Sequence, residues 1–537
     1  MSLPRFIDRV ADALTLAAPA ADRADLITHL GTLVVDVRLS GRPDSAPGDL
    51  TGRTSTEPPP GSAALNLAAT LLARLYPTFR LSGDPQAQGA FAREVTLVNP
   101  DAEVISDPAD TEPPAGLIEM RVAAGPAVVV DVHGWHVLLD DPRRPTGAPA
   151  PAATPLISLA AVNLGCATLF RTAFVGFLPN GRSVAEPSTL NLLTLQPWTD
   201  GCPDVPPQLE IGEVHLAGAG AIGQAACLAL AAHSRDLGLT GHITIVDHEQ
   251  ITLSNLQRYV LTHDRDVDAT KAVVAADHLR AAGLPADPAV ERWGTSKRSA
   301  PGQQTVLVAL DSAADRVGVA AGTHHRIYNA YTGTEDLGWS RHEAPSAGSD
   351  GTDPCLACLY WPTQPRPHRH EQVADALGIH PLRALAYLVT RTPIGAPLAD
   401  LSPIANLNPP TEASSWLTQG LLADLQGRDL VTQELVDAWT AQDMDTLYRD
   451  GVCGGAIVKL SRPSGTAHVI VPSAHQSALA GTMLALQLVV AVSPALVAYR
   501  PKAVEGRLDV LRPLPAIVPR PRQRTPDCIC QDPDYER

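Results

Sequence analysis

The sequence predicts an α/β protein built on a doubly wound parallel sheet, and three observations support this fold class. Apolar strands alternate with helical runs between residues 208 and 361. A glycine-rich turn joins the first of these strands, residues 213–217, to a helix of small residues. A later apolar strand, residues 305–310, leads directly into Asp311. Because ligands of such sheets bind at the carboxyl ends of the strands, we expect a binding site at that edge.

The glycine-rich turn has the sequence Gly218-Ala-Gly220-Ala-Ile-Gly223. Glycines at these offsets let the backbone turn sharply and let a phosphate approach the helix N-terminus, where unpaired N–H groups favour negative charge. A second strand, residues 242–246, ends in Asp247, which is placed to hold the ribose hydroxyls of a nucleotide. Taken alone, these features would also suit a nicotinamide or flavin dinucleotide.

The polar residues that follow Asp247 favour ATP instead. Asn255 and Arg258 lie in one short segment, Lys271 follows, and Arg316 comes five residues after Asp311. Arginine and lysine can neutralise a triphosphate, and an aspartate can hold magnesium through one or two carboxylate oxygens. A dehydrogenase does not need these groups.

This ordered set resembles the adenylating domain of the ubiquitin-activating enzyme superfamily, which includes the sulfur-carrier adenylyltransferases of the molybdopterin and thiamine pathways. The resemblance implies that Asp247 binds the ribose and that Asp311 coordinates Mg²⁺. It also implies that Asn255, Arg258 and Lys271 contact the phosphates of ATP. A carrier protein's C-terminal carboxylate would then attack the α-phosphate, giving an acyl adenylate and pyrophosphate.

Two residues depart from the pattern of this superfamily. Tyr259 follows the motif arginine where the superfamily usually has glutamine, and Asp268 stands three residues before Lys271 where it usually has glycine. Asp268 is expected to affect the local turn or the field around Lys271. These departures leave open a scaffold that binds nucleotide without catalysis.

Length and charge limit the domain organisation and the partners. With 537 residues, the chain is long enough for about three domains of roughly 100–200 residues. Its formal net charge of −16 argues against general nucleic-acid binding. The first residues carry no charged segment followed by an apolar core, so we expect no secretory leader, and polar residues interrupt the most apolar stretch, residues 478–497. We therefore expect a cytoplasmic protein without a membrane span, in which that stretch is a core helix.

Residues 1–200 alternate helical runs with strands but lack a glycine-rich turn. Activating enzymes pair an active adenylating domain with a degenerate, inactive copy. By this resemblance, residues 1–200 are predicted to be such an inactive copy, and an arginine from them is expected to complete the ATP site. Arg5, Arg9 and Arg80 are examples of the arginines available.

Two cysteine pairs are candidates for a structural Zn²⁺ site. Cys355 and Cys358 form a Cys-x-x-Cys pair near the end of the first adenylating segment, and Cys528 and Cys530 lie close to the C-terminus. Four thiolates suit tetrahedral zinc, and many activating enzymes carry two such pairs. The alternative is two pairs of reduced thiols.

The remaining segments are predicted from the same resemblance. The active adenylating domain would consist of residues 201–362 and 454–500, interrupted by a helical insert and catalytic-cysteine region at residues 363–453. Residues 501–537 would form a C-terminal tail. Cys453, which lies beside two glycines and close to Arg449, is the candidate nucleophile, because a nearby cation favours the reactive thiolate.

We therefore predict an enzyme that activates a ubiquitin-like protein with ATP, forms a thioester on Cys453 and passes the protein to a conjugating enzyme. The composition suits a high-GC bacterium, and related bacterial enzymes act in antiviral conjugation systems. A homodimer is compatible with this prediction. The alternatives are a sulfur-carrier adenylyltransferase that forms no enzyme thioester, a catalytically inactive scaffold and a nicotinamide dehydrogenase.

Overall fold

The structure is a computed structural model in which two compact units are distinguished, one formed by Met1–Trp361 with Pro472–Arg537 and the other by Pro362–Val471. It describes residues 23–41, 62–122, 125–140, 154–177, 187–295, 305–322, 324–333, 336–343, 353–360, 370–371, 373–374, 380–396, 437, 441–447, 474–510, 512, 517–520 and 523–531.

The first half of the larger unit is built around a seven-stranded sheet of order β3-β2-β1-β4-β5-β6-β7. Strands β1, β2 and β3 are parallel, and each later strand is antiparallel to its neighbours. The elements are α1 (Arg23–Thr32), β1 (Val34–Leu39), α2 (Ser62–Ala73), β2 (Thr78–Gly83), α3 (Pro85–Val98), β3 (Glu103–Ser106), β4 (Ile118–Val122), β5 (Ala127–His133), β6 (His136–Leu139), α4 (Pro155–Ala173) and β7 (Ser188–Asn191).

The second half contains an eight-stranded sheet of order β10-β9-β8-β11-β12-β13-β14-β15. Its elements, with helices α9 and α10 of the smaller unit in their chain positions, are β8 (Leu209–Ala217), α5 (Ala221–Leu237), β9 (Leu239–Val246), α6 (Lys271–Ala281), β10 (Ala286–Ala289), β11 (Thr305–Val308), α7 (Ala313–Ala320), β12 (Arg326–Thr332), β13 (Asp336–Glu343), α8 (Leu356–Tyr360), α9 (Pro381–Thr390), α10 (Met444–Thr446), α11 (Ala474–Ala491), α12 (Pro494–Val497), β14 (Glu505–Asp509) and β15 (Ile517–Arg520). Strands β10, β9, β8, β11 and β12 are parallel, which confirms the predicted doubly wound α/β fold.

Two long apolar helices lie in the core of the larger unit. Helices α4 and α11 are long and apolar enough to cross a membrane, yet 100% and 89% of their apolar windows are buried inside the protein. Helix α11 packs against α4 and α5. A Cβ atom on Gly481 of α11 would lie 2.3 Å from the carbonyl oxygen of Ile222, so the backbones of α11 and α5 approach closely. The expected core helix is therefore present, and the proline at position 494 begins the next helix.

The two sheets share an order of strands. In each, the third, second and first strands along the chain are neighbours, and the fourth strand adds to the other side of the first. In the first half, the long buried helix α4 comes between β6 and β7 in the chain, and these two strands pair antiparallel. In the second half, the long buried helix α11 comes between β13 and β14, which also pair antiparallel. The halves differ because β4 is antiparallel to β1, whereas β11 is parallel to β8.

The C-terminal region contributes more than a tail. Strands β14 and β15, which lie within residues 501–537, extend the second sheet next to β13. Helices α9 and α10 lie within the predicted helical insert at residues 363–453, most of which lies outside the described residues.

Candidate functional site

The candidate site lies at the carboxyl edge of the second sheet, around β8. Ala217, at the end of β8, is aligned with Val246 of β9 and with Val308 of β11. The segments that leave these three strands therefore start at one level, and they carry the glycine-rich turn, Asp247 and Asp311. Since the strand order reverses at β8, this edge is where nucleotides bind in such sheets, and we expect the nucleotide-binding crevice there.

Close backbone packing shapes the glycine-rich turn. Gly218 has a φ of 95°, and a Cβ atom at this position would lie 2.8 Å from the carbonyl oxygen of Ala309. A Cβ atom on Gly223 would lie 2.1 Å from the carbonyl oxygen of Gly218. Gly220 is the N-cap residue of α5. The turn thus brings the backbone N–H groups at the start of α5 to the crevice, where they favour an anion.

Asp247 ties the end of β9 to this turn. Its Oδ2 accepts a hydrogen bond of 2.7 Å from the backbone of Ala219, and its Oδ1 accepts one of 2.8 Å from the backbone of Glu249. Burial raises the pKa of the Asp247 carboxyl, against the opposing effects of Lys271 and the two backbone donors. A carboxylate offers about four acceptor positions, so capacity remains for the hydroxyls of a ribose.

Lys271 is the first residue of α6, and 7% of its side chain is exposed. Its ammonium group lies 2.5 Å from Glu249 Oε2 and 5.5 Å from the ring centre of Tyr259. Burial alone would lower the pKa of Lys271, but the phenol of Tyr259 and the carboxylates of Glu249 and Asp247 raise it above its ordinary value. Lys271 is therefore a fully charged ammonium at neutral pH.

The segment between Asp247 and Lys271 positions Asn255 and Arg258. Asn255 Oδ1 accepts a hydrogen bond of 3.0 Å from the backbone of Thr252, which caps the 3-10 helix Leu253–Gln257. Arg258 ends this helix and is half-buried. Its Nε atom is buried and has no hydrogen-bond partner within the part of the chain that the structure describes. A buried guanidinium N–H without a partner fits an anionic ligand.

The two residues that depart from the superfamily pattern have distinct positions. Tyr259 is buried, with 3% of its surface exposed. Asp268 is exposed and has a φ of 70°, in the left-handed region that glycine favours and that aspartate tolerates better than most residues. Its backbone N–H donates to the carbonyl oxygen of Ile251 over 2.9 Å. The local turn is therefore formed with aspartate in place of glycine.

An arginine from the first half contacts the segment between Asp247 and Lys271, hereafter called the site segment. Arg74, directly after α2, is buried and donates to the backbone oxygens of Leu256 over 2.8 Å and Tyr259 over 2.5 Å. Burial lowers the pKa of Arg74 to about 10, which leaves it charged. Among the arginines considered from the sequence, Arg80 is exposed and lies 3.8 Å from Asp36, and the N-terminal pair at positions 5 and 9 lies outside the described residues.

A second contact from the first half accompanies Arg74. Glu94 of α3 accepts a 2.7 Å hydrogen bond from Thr70 and lies 3.4 Å from His263 Nε2. Burial would raise the pKa of Glu94, but the hydrogen bonds from His263 and Thr70 hold it below its ordinary value. The sequence alone did not indicate Arg74, Glu94 or Glu249. Arg74 and Glu94 contact residues that are distant in the chain, and Glu249 is not one of the motif residues.

Asp311 and Arg316 have different environments. Asp311 is exposed at the carboxyl end of the β11 segment, where its carboxylate is available to a cation. Arg316 is buried and donates to the oxygen of Ala330 over 3.1 Å and to the hydroxyl of Tyr360 over 2.8 Å, besides contacts with the Leu310 carbonyl and the Asn329 side chain. Arg316 therefore donates its hydrogen bonds to protein oxygens around β11 and β12. It does not face the crevice as a cation that would neutralise phosphates.

The structure brings the four predicted zinc ligands together. The Sγ atom of Cys355 lies 3.8 Å from that of Cys358 and 3.6 Å from that of Cys528, and Cys358 Sγ lies 3.4 Å from Cys530 Sγ. All four sulfur atoms lie within 4.8 Å of one another. A tetrahedral Zn–S distance of about 2.3 Å requires sulfur atoms about 3.8 Å apart. The cluster is therefore compatible with a zinc ion.

The other cysteines provide no second cluster in the described ranges. Cys166 and Cys227 are buried in the core, and burial raises the pKa of each thiol to about 12. Cys202 is half-buried and accepts a 3.5 Å hydrogen bond from Asn191. Cys453, the predicted nucleophile, lies outside the described residues.

Solved structures that are similar to this chain have low sequence identity and low TM-scores. Escherichia coli MccB with AMPCPP and SeMet MccA is 12% identical, covers 75% of this chain and 97% of that chain, and has a TM-score of 0.33. E. coli MccB with MccA-N7isoASN is 14% identical, covers 59% of this chain and 66% of that chain, and has a TM-score of 0.30. E. coli tRNA N6-threonylcarbamoyladenosine dehydratase, TcdA, in complex with ATP is 22% identical over 20% of this chain and 45% of that chain, with a TM-score of 0.18.

Sequence comparison gives stronger matches. Residues 202–530 match the family described as ThiF family. The chain is also 31% identical over 557 residues to the protein of Sinorhizobium fredii (strain NBRC 101917 / NGR234) named "Uncharacterized protein y4jF". That alignment covers 100% of this chain and 96% of the relative, so the similarity extends through both halves and the C-terminal strands.

Proposed function

The chain belongs to the ThiF family, a member of the superfamily that the sequence resembles, and on that premise we propose that it activates a ubiquitin-like protein with ATP. The proposed activity is adenylation of the carrier's C-terminal carboxylate, followed by a thioester on Cys453 and transfer to a conjugating enzyme. Family membership supports the adenylating step. The carrier, the thioester and a role in bacterial antiviral defence are the finer parts of the proposal.

The observation that carries the proposal is the set of charges around the glycine-rich turn. The N-terminus of α5 faces this edge of the sheet, Lys271 interacts electrostatically with Asp247, which is bonded to the turn, and a buried Arg258 N–H has no partner in the described chain. Asp247 and Asp311 flank the turn at the ends of β9 and β11. This pattern suits a polyphosphate with a ribose at one side and a divalent cation at the other.

The first step is then a substitution at the α-phosphorus of ATP. A carboxylate oxygen of the carrier forms the new P–O bond, the bond between the α-phosphorus and the bridging oxygen breaks, and pyrophosphate leaves with the electron pair. Lys271 and Arg258 would stabilise the charge on the phosphates, and Asp311 would hold Mg²⁺, which neutralises the leaving pyrophosphate. Asn255 and Asp247 would orient the nucleotide.

The second step is an acyl transfer within the enzyme. The thiolate of Cys453 attacks the acyl carbon of the adenylate, a C–S bond forms and AMP leaves with the electron pair of the C–O bond. Transthioesterification then passes the carrier to the thiol of a conjugating enzyme. The neighbouring glycines and Arg449 in the sequence support Cys453 as this nucleophile.

We assign supporting roles to the cysteine cluster and to the first half. A zinc ion held by Cys355, Cys358, Cys528 and Cys530 would join α8 to the C-terminal turn. The first half would be a degenerate adenylation-like domain, a proposal supported by the strand order that it shares with the second half. We propose a cytoplasmic enzyme that acts without nucleic acid and without membrane insertion.

An intact-mass experiment tests the proposed function. The protein is incubated with ATP, Mg²⁺ and ubiquitin-like proteins from the same genome, without reducing agent, and Cys453→Ala is compared with Cys202→Ala as the matched control. We expect a thiol-sensitive carrier adduct on the wild type and on Cys202→Ala but not on Cys453→Ala. An adenylated carrier with all three proteins, and no enzyme adduct, would favour simple sulfur-carrier adenylation. ATP binding without any carrier product would favour an inactive scaffold.

A further inference from the structure

We propose that Tyr259 is a positioning residue that holds the Lys271 ammonium group at the glycine-rich turn for the phosphates of ATP. The inference rests on the proposed nucleotide site and deepens it. Tyr259 stands where the ubiquitin-activating enzyme superfamily usually has glutamine, so this positioning role would be a feature of this chain rather than of the superfamily.

The contact between the two side chains carries the inference. The Lys271 Nζ atom lies 5.5 Å from the centre of the Tyr259 ring, within the range of a cation–π interaction of about 6 Å. Both residues are buried, with 3% of Tyr259 and 5% of Lys271 exposed. Because water screens the pair little, the ring attracts the ammonium more strongly than it would at the surface.

The other end of Tyr259 reaches the phosphate-binding turn. A Cβ atom built on Gly220, the N-cap residue of α5, would lie 3.6 Å from the Tyr259 hydroxyl oxygen. The tyrosine therefore extends from Lys271 to the N-terminus of α5. Its ring faces the ammonium, and its hydroxyl lies next to Gly220, where the backbone N–H groups of α5 favour an anion.

Backbone contacts keep Tyr259 in this position. Its N–H donates to the carbonyl oxygen of Asn255 over 3.1 Å, and its carbonyl oxygen accepts a 2.5 Å hydrogen bond from Arg74. The backbone of Tyr259 is thus held by Asn255 on one side and by Arg74 from the first half of the chain on the other. A glutamine at this position would have no aromatic face for the ammonium.

An aromatic ring also differs from the other partners of Lys271. Glu249 and Asp247 attract the ammonium with full negative charges, which repel incoming phosphates. The ring of Tyr259 attracts the ammonium through its quadrupole and carries no net charge while the phenol is protonated. Lys271 can therefore stay at the turn when phosphates replace its contact with Glu249.

The test compares the binding of ATP with that of adenosine, because only ATP carries the phosphates that Lys271 would contact. Affinities for both ligands are measured by titration calorimetry with Mg²⁺ for the wild type, Tyr259→Leu, Tyr259→Gln, Tyr259→Phe and Lys271→Ala. Tyr499→Leu, which removes a tyrosine that donates to the carbonyl oxygen of Gly201, is the matched control.

We expect Tyr259→Leu and Tyr259→Gln to weaken ATP about tenfold and to leave adenosine within about twofold of the wild type. Tyr259→Phe, which keeps the ring, and Tyr499→Leu should both bind ATP like the wild type. The double variant with Tyr259→Leu and Lys271→Ala should bind ATP no more weakly than Lys271→Ala alone.

Three outcomes would overturn the inference. The first is wild-type ATP affinity in Tyr259→Leu while Lys271→Ala binds ATP weakly. The second is an equal loss of ATP and adenosine affinity, which would indicate a purely structural role in the site segment. The third is a loss in Tyr259→Phe as large as in Tyr259→Leu, which would make the hydroxyl the active group. A wild-type protein that does not bind ATP would refute the proposed function itself, and the inference with it.

Discussion

The ammonium group of Lys271 lies 2.5 Å from Glu249 Oε2, so the lysine proposed to meet the phosphates already has a carboxylate partner within the protein. The partner is 41% exposed at its side chain, whereas 7% of the lysine side chain is exposed. Phosphates entering the crevice would therefore compete for Lys271 with the more exposed member of the pair, Glu249.

Glu249→Gln should strengthen ATP binding severalfold and lower the stability of the protein. The substitution removes a competing negative charge but leaves a buried ammonium with a weaker partner. Because the carboxylate is partly exposed, we expect both effects to be on the order of 1 kcal/mol. Titration calorimetry and thermal unfolding measure them, with Glu210→Gln at the far end of β8 as the control. Weaker ATP binding in Glu249→Gln would mean that the carboxylate supports the nucleotide instead of competing with it.

Arg74→Ala should weaken ATP binding although the side chain lies in the first half of the chain. The change leaves the carbonyl oxygens of Leu256 and Tyr259 without their donors, at a cost of about 2–4 kcal/mol in unfolding free energy. It also loosens the segment that holds Asn255 and Tyr259. The measurements are thermal unfolding and ATP affinity.

Arg80→Ala is the matched control for Arg74→Ala, because Arg80 is exposed and its change should alter stability by less than about 0.5 kcal/mol. An Arg74→Ala protein that binds ATP as tightly as the wild type would separate the first half from the nucleotide site.

The four-cysteine cluster predicts about one zinc ion per chain. Cys355→Ser should abolish this content and lower the unfolding temperature, since α8 and the C-terminal turn would lose their link. Cys202→Ser, outside the cluster, should retain the metal. Elemental analysis of the purified proteins measures the content. Metal-free wild-type protein with unchanged stability after chelation would identify the cluster as four reduced thiols.

Acid should destabilise the protein through His233, which is fully buried in α5. Burial lowers the pKa of His233 to about 4 from an ordinary value of 6.5. Between these values the unfolded chain binds a proton that the folded chain does not, so stability is complete above pH 6.5 and falls as the pH drops toward 4. The loss should be about 3 kcal/mol.

Denaturant unfolding at several pH values measures this loss. His233→Leu should flatten the dependence by up to about one proton, whereas the same change at the exposed His325 should not. A wild-type slope retained in His233→Leu would show that other groups cause the acid sensitivity.

The fold of the second half could be predicted because local patterns and topology agree there. Glycine spacing, apolar strands and Asp311 all specify a parallel sheet with its ligand edge at one end. Strands β14 and β15 were missed because an antiparallel edge in a proline-containing tail gives a weak local pattern. The resemblance predicted that Cys355 and Cys528 belong to one site, although 173 positions separate them in the chain.

Motif spacing predicted that Asp247 and Lys271 lie near the glycine-rich turn, and Asp247 accepts a hydrogen bond from Ala219 of that turn and interacts with Lys271. Their roles toward ATP stay predictions. Arg74 could not be identified, because its role depends on packing of α2 against a segment more than 180 residues later. Arg316 was misread, since its charge suggested phosphates while its burial directs it to backbone oxygens. Spacing shows which residues share an edge, but burial decides what each side chain contacts.

Exchange of labelled pyrophosphate into ATP, dependent on a ubiquitin-like protein with a free C-terminal carboxylate, tests directly whether the chain adenylates a carrier. We expect exchange with the wild type and with Cys453→Ala, since adenylation precedes the thioester, and a large loss with Asp311→Asn and Lys271→Ala. Carrier-independent exchange, or wild-type exchange in Asp311→Asn and Lys271→Ala, would contradict adenylation at the glycine-rich turn.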